Sequence, residues 1–224
     1  MRSVTVVTVV LAAALLSAAI GAAAQSPPAA PRQGAAEDPA ALVQEAAQGM
    51  LTDIDKNREA YRRNPAKVAP VVDKYLLPHF DTETAARVVL GQYWRSATPE
   101  QRQRFIDAFY HSLLGNYGQA LVEFTSDRLK IFPSRVEPGA TTATVRTEVR
   151  RANGDRVAVN YSMRMTPEGW KAWDVVIDGI SYVKSYREDF DAQIQSQGLE
   201  RVIKRLESGE KPAQIGKQAG SPGK

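Results

Sequence analysis

Residues 143–177, ATVRTEVRRANGDRVAVNYSMRMTPEGWKAWDVVI, alternate with a period of two. Ala143, Val145, Thr147 and Val149 are mostly apolar, whereas Thr144, Arg146, Glu148 and Arg150 between them are polar, which predicts a half-buried strand. Val157, Val159, Tyr161, Met163 and Met165 repeat the odd parity against Ala158, Asn160, Ser162 and Arg164. Residues opposite each other across a sheet share a face, so the two strands must pair odd with odd. A two-residue turn cannot achieve this here, but a three-residue loop, Ala152-Asn153-Gly154 with Gly154 in the left-handed position, does. After a turn from Thr166 to Gly169, Trp173, Val175 and Ile177 continue on odd positions, while Trp170, Ala172 and Val176 leave the other face partly apolar. Asp178-Gly179 turns the chain once more, and Ile180 to Tyr182 completes an antiparallel meander.

On either side of the meander the period is helical. Val43, Ala47, Met50 and Ile54 recur at helical spacing, with Tyr61 near the same stripe. Asn64-Pro65 is a cap and first-turn pair that introduces a short helix carrying Val68, Val71, Val72 and Tyr75. Asp81 caps a further helix that ends at Gly91. Thr98-Pro99-Glu100-Gln101 is a capping box, opening a helix to about Phe124 with Phe105, Phe109, Leu113, Tyr117 and Leu121 on its apolar face. Downstream, a helix from about Tyr186 through Phe190 and Ile194 is interrupted at Gly198 and resumes with Leu199, Val202, Ile203 and Leu206. The predicted class is therefore α+β, with N-terminal helices and a C-terminal helix packed on one face of the meander sheet.

The ends of the chain read differently. Arg2, an apolar run from Val4 to Ile20 and the small residues Ala22 and Ala24 form the pattern of a signal peptide over residues 1–24, with cleavage after Ala24. The competing reading is a retained membrane anchor, but no Lys or Arg flanks the run on its far side until Arg32. Residues 25–38 read as a flexible leader, residues 39–207 as one folded domain and residues 208–224 as a disordered tail rich in Gly, Lys, Gln and Pro. Hydrophobic residues make up 43% of the chain, enough for an ordinary core. With no Cys, neither a lipid-anchored lipoprotein nor a disulfide framework is available to an exported protein, which on this reading is periplasmic. The formal charge of +4 is scattered among acids and does not argue for nucleic acid.

The inventory for catalysis is thin. There are two histidines, His79 and His111, no thiol, no glycine-rich phosphate loop and no nucleophile elbow. Strand parity puts Asp174 and Asp178 on the outward side, in turn and edge roles, and no catalytic, cofactor or metal site is expected. The aromatic and Met positions have the signature both of a packed core and of a cavity wall, and pattern alone does not separate the two.

Two segments carry a resemblance. Leu90-Gly91-Gln92-Tyr93-Trp94-Arg95-Ser96-Ala97-Thr98-Pro99-Glu100-Gln101-Arg102-Gln103-Arg104-Phe105 is one; Gly169-Trp170-Lys171-Ala172-Trp173-Asp174-Val175, with Asp178-Gly179-Ile180-Ser181 and Tyr186-Arg187-Glu188-Asp189-Phe190, is the other. In order and separation they resemble the MlaC, or toluene-tolerance, family of periplasmic proteins, over roughly Leu42 to Leu206. The resemblance implies a phospholipid carrier with an apolar cavity between sheet and helices, shuttling between an outer-membrane lipoprotein complex and an inner-membrane ABC transporter to maintain lipid asymmetry. On that reading Tyr75, Phe105, Phe109, Leu113, Tyr117, Val145, Val149, Val159, Tyr161, Met163, Trp173 and Val175 are candidate lipid contacts, and Arg95, Arg102, Arg104 and Arg187 are candidates for the surface that meets partners. Two other functions fit the element order: an enzyme on a cone-like scaffold of the nuclear-transport-factor type, with Tyr161 as its inward polar group, and a protein-binding adaptor with a filled core.

Overall fold

The computed structural model describes residues 38–122, 126–150 and 154–210, without the side chains of 116–120 and 126. The expected signal segment, the leader up to residue 37, most of the tail and loop residues Ala152 and Asn153 lie outside the described residues.

Local capping chemistry delimits the helices. Asp38 Oδ1 accepts from the Ala40 N–H at 3.0 Å and opens α1 (Pro39–Arg63), whose stripe buries Ala47, Met50, Ile54 and Tyr61. Asn64 Oδ1 accepts from Ala66 N–H at 3.2 Å and starts a 3₁₀ turn (Pro65–Val68) that leads into α2 (Ala69–Tyr75). Asp81 caps α3 (Thr82–Leu90) through Thr84 N–H at 2.8 Å. A single turn, α4 (Tyr93–Ser96), precedes α5 (Pro99–Val122). The capping box of α5 is reciprocal: Gln101 N–H donates to Thr98 Oγ1 at 3.1 Å, and Thr98 N–H donates to Gln101 Oε1 at 3.1 Å.

Five antiparallel strands follow in sheet order β1-β2-β3-β4-β5: β1 (Leu129–Ile131), β2 (Thr142–Arg150), β3 (Arg156–Thr166), β4 (Gly169–Ile177) and β5 (Ile180–Ser181). Val145 pairs with Tyr161 and Thr147 with Val159, the odd-with-odd register that parity demanded. In β2 the odd Val145 and Thr147 are buried and the even Thr144 and Arg146 are exposed. β1 is a strand that periodicity missed, because three residues are too few to display a period.

β4 departs from the single-parity expectation. Ser162 pairs with Asp174 but Met163 pairs with Ala172, so Trp173 is the extra residue of a β-bulge. The bulge reverses the parity of the strand before it. Trp170 and Ala172, not Trp173, share the buried face with Val145 and Met163, whereas Val175 and Ile177 beyond the bulge keep the odd parity. Trp173 is released to pack against the helical cluster.

After β5, α6 (Tyr182–Gln197) begins four residues earlier than its stripe indicated, because Ser181 Oγ accepts from Lys184 N–H at 3.1 Å. Gly198, at φ +81°, then breaks the helix, and α7 (Leu199–Glu207) buries Val202, Ile203 and Leu206. The α+β class stands, with helices against a five-stranded antiparallel sheet.

The head of α3 is tied to the sheet. Asp81 N–H donates to Ala172 O at 2.7 Å, and its carboxylate accepts from Arg164 of β3. Burial opposes ionisation of Asp81, but hydrogen bonds from the Thr84 N–H and the Arg164 guanidinium outweigh it and hold the carboxyl below its ordinary pKa. A depressed folded-state pKa contributes stability above the unfolded value, about 3.9, that is lost as pH falls through the folded value. Asp81→Asn is therefore expected to melt below the parent at pH 7, with the gap narrowing once pH drops under about 4. A gap of constant size in melts at pH 7 and pH 3 would count against the carboxylate.

Candidate functional site

A single domain commonly buries its apolar side chains in one contiguous cluster. Here the buried residues form three among the described residues. The first joins α3, α5, α6 and α7 and centres on an aromatic stack: Phe190 lies edge-to-face on Phe105 and Phe109, at 5.4 and 5.5 Å between centroids, and Tyr186 on Phe109 at 5.2 Å. Spacing of four residues on each helix, Phe105 to Phe109 and Tyr186 to Phe190, puts each pair on one face. The second lies between α1, α2 and the end of α5, and the third between the odd face of β2–β4 and the start of α1.

Around these clusters stands a set of large apolar side chains that are only half-buried, among them Tyr75, Leu113, Leu114, Tyr161, Met165 and Trp173. Exposed large apolar side chains are otherwise confined to Ile180 among the described residues. These groups keep part of their surface while packing beside the clusters. Tyr161 is the sharpest case. It sits deep enough that burial alone pushes its hydroxyl pKa up, yet it keeps part of its accessible surface. Its ring is thus deep in the fold without being sealed.

The sequence candidates divide by place. Phe105, Phe109, Val145 and Met163 are buried inside clusters, so they support the interior walls from behind. Leu113, Val149, Val159, Tyr161, Trp173 and Val175 are half-buried. Tyr75 is half-buried too, its ring seated in the notch left by Gly49 of α1, where a Cβ would lie 2.7 Å from Tyr75 Cδ1. The Tyr117 side chain lies outside the described residues.

The basic candidates also divide. Arg104 is occupied inside the chain: its Nε and Nη2 donate to the Glu207 carboxylate at 2.7 and 2.8 Å and its Nη1 to Glu200 at 2.9 Å, joining α5 to α7. These acids raise the Arg104 pKa, and Arg104 lowers theirs. Arg102 donates to Trp94 O at 2.9 Å and lies over the Trp94 ring at 5.0 Å, holding α4 against α5. Only Arg95 and Arg187 of the four are exposed, and Arg187 lines a groove of about 530 Å³ with Leu90, Gly91, Gln92, Lys184, Glu188 and Asp191. The glutamates that occupy Arg104 stand about a hundred residues along the chain, beyond any local signal. Arg104→Glu would set three carboxylates together. It is expected to lower the melting temperature, more at low salt than at high salt, because the repulsion is exposed and screened; equal loss at both ionic strengths would contradict that account.

Asp174, placed outward by parity, is instead 2% exposed. It stays on the even face, opposite Ser162, but the start of α6 covers that face, and Asp174 accepts from Ser181 Oγ at 2.6 Å and Val183 N–H at 3.0 Å. Asp178 has the expected turn role, at φ +49° with its carboxylate accepting from Ala158 N–H at 3.1 Å. Among the described residues no group of three or more His, Asp and Glu is placed to hold a metal ion, and no helix is long and apolar enough to cross a membrane.

Fold and site together define an α+β protein in which helices pack against a five-stranded meander sheet and large apolar side chains stay half-buried beside the buried clusters. Residues 44–208 match the family model described as MlaC protein, and the chain belongs to that family. It is 32% identical over 172 residues to the toluene tolerance protein ttg2D of Pseudomonas putida, across 75% of this chain and 80% of that one. It is 26% identical over 176 residues to the intermembrane phospholipid transport system binding protein MlaC of Haemophilus influenzae, across 77% and 82%. Among solved structures it is similar to the phospholipid-binding protein from Ralstonia solanacearum in complex with a phospholipid, with a TM-score of 0.71 and 29% identity over 77% of this chain and 97% of that one.

Proposed function

We propose that this chain is a periplasmic phospholipid carrier, exported through a signal peptide over residues 1–24, whose domain at 39–207 holds acyl chains in the interior between helices and sheet. It receives lipid from one membrane's complex and passes it to another's, between an outer-membrane lipoprotein complex and an inner-membrane ABC transporter. The observation that carries this reading is the set of half-buried apolar side chains beside the buried clusters, typified by Tyr161. Family membership and a relative solved with phospholipid support it.

The physical requirement is simple. A lipid crossing water must keep its chains dry, and at about 0.8 kcal/mol per buried CH₂ two long chains supply far more than association costs. Binding suffices, and no bond need be made or broken. The half-buried Leu113, Val149, Val159, Tyr161, Trp173 and Val175 form the acyl wall in this reading, and Arg95 and Arg187 remain as surface charges that meet partner complexes. Arg102 and Arg104 serve the fold.

Organic extraction of the purified protein, followed by mass spectrometry, is expected to release phospholipid in a stoichiometric amount. Extracts free of lipid, from protein that also takes up none from vesicles, would remove the carrier reading and leave a filled-core adaptor.

A further inference from the structure

Buried polar side-chain atoms without a hydrogen-bond partner are few among the described residues. Ser112 Oγ and Trp170 Nε1 are sealed from any water-sized probe. The Tyr161 hydroxyl is different: no hydrogen bond or neighbouring charge acts on it, only burial, but it is not among the sealed atoms, and its residue is half-buried. Its surroundings are set by the register. Tyr161 pairs with Val145 on one side and Val175 on the other, and Val159 and Met163 flank it on the same face of β3. None of these neighbours offers a charge or a strong acceptor, the Met163 thioether being a weak one.

Water satisfies such a hydroxyl when the interior holds no cargo. Acyl chains entering the same space displace that water and bring only hydrocarbon, which leaves the phenol unpaired at a cost. An occupant avoids that cost if it carries a neutral acceptor to Tyr161. A phosphate is unsuited to this place, because its charge would be desolvated on a face without a cation. An ester carbonyl is suited to it: neutral, acceptor-only and attached directly to the chains.

We infer that Tyr161 Oη donates a hydrogen bond to an ester carbonyl of the bound lipid, making it the polar stop that sets how deep the glycerol end of a diacyl ester lipid sits. The inference rests on the carrier reading and names a chemical preference within it: ester-linked over ether-linked cargo.

The test is competition. Delipidated protein is offered an equimolar mixture of diacyl- and dialkyl-phosphatidylethanolamine of equal chain length, and native mass spectrometry reads the ratio retained. Wild type is expected to favour the ester lipid about five- to tenfold, the range of one hydrogen bond. Tyr161→Phe, which removes only the oxygen, is expected to hold both lipids at a ratio of about one. With lipid ¹³C-labelled at its ester carbonyls, wild type should show one carbonyl stretch at lower frequency and Tyr161→Phe should not. A wild-type ratio near one, or the same ratio in both proteins, overturns the inference while leaving the carrier reading intact, since lipid is still bound. Wild type that binds neither lipid fails at the earlier step instead. Because the wild-type ratio is informative without any variant, a folding defect in Tyr161→Phe would not shield the proposal.

Discussion

Val159→Asp is expected to yield a folded protein that comes off the column without phospholipid, its retention lowered by tenfold at the least. Val159 lies on the odd face of β3, half-buried, opposite Thr147 and Ile177. A carboxylate there meets either water, when the interior is empty, or acyl chains, when it is loaded. Desolvating the charge, or protonating it to avoid desolvation, opposes loading by several kcal/mol, on the order of the cost of an unpaired buried polar group. The empty protein escapes most of that cost because water can enter. Val145→Asp shares the strand face but not the outcome: Val145 is 0% exposed within a packed cluster, so its carboxylate has no water to turn to and the domain should unfold. Arg146→Asp, exposed on the other face, should retain lipid as wild type does. Native mass spectrometry alongside thermal melting separates the three. If Val159→Asp and Arg146→Asp lose lipid equally, the assignment of the odd face to the interior is wrong.

Phe190→Ala should cause the largest loss of stability of any single truncation considered. Its ring is 1% exposed and sits where α6 meets α5, in edge-to-face contact with both Phe105 and Phe109. Removing a buried Phe costs about 3–5 kcal/mol through lost transfer energy and the cavity left behind. For a domain of this size that corresponds to a fall in melting temperature on the order of 10 °C. Denaturant titration reads the free energy directly, and a loss below about 1 kcal/mol would mean the stack relaxes around the hole and does not hold the helices together. Of the half-buried wall, Leu113 and Trp173 pack against this cluster whereas Tyr161 packs against another, so the lipid still bound per folded molecule should change less than stability does.

What was legible in the chain beforehand depends on the range over which each feature is determined. The caps at Asn64, Asp81 and Thr98 were readable because the side chain and the amide it serves lie within three residues of each other. The pairing of Val145 with Tyr161 was readable because a strand's side chains alternate and a one-residue slip would turn every apolar group to solvent. Gly198 was readable as a break because a glycine between two apolar stripes stops a helix at little steric cost, and its φ of +81° uses that freedom.

By itself, then, the sequence determined the α+β class, the caps, the β2–β3 register and, through its two motif segments, the family. Tertiary structure alone decided the rest. The bulge at Trp173 hands Trp170 and Ala172 to the buried sheet face against the strand's own period, and the start of α6 covers Asp174 on the other face. The fate of the arginines was settled by distant partners: Glu200 and Glu207 claim Arg104, and the Trp94 ring and carbonyl claim Arg102, so two of four apparent surface charges work inside the fold. How tightly the apolar side chains are packed was decided in the same way. Packed cores and cavity walls are built from the same apolar side chains, and only the distances between elements determine whether Tyr161 meets a neighbour or an opening.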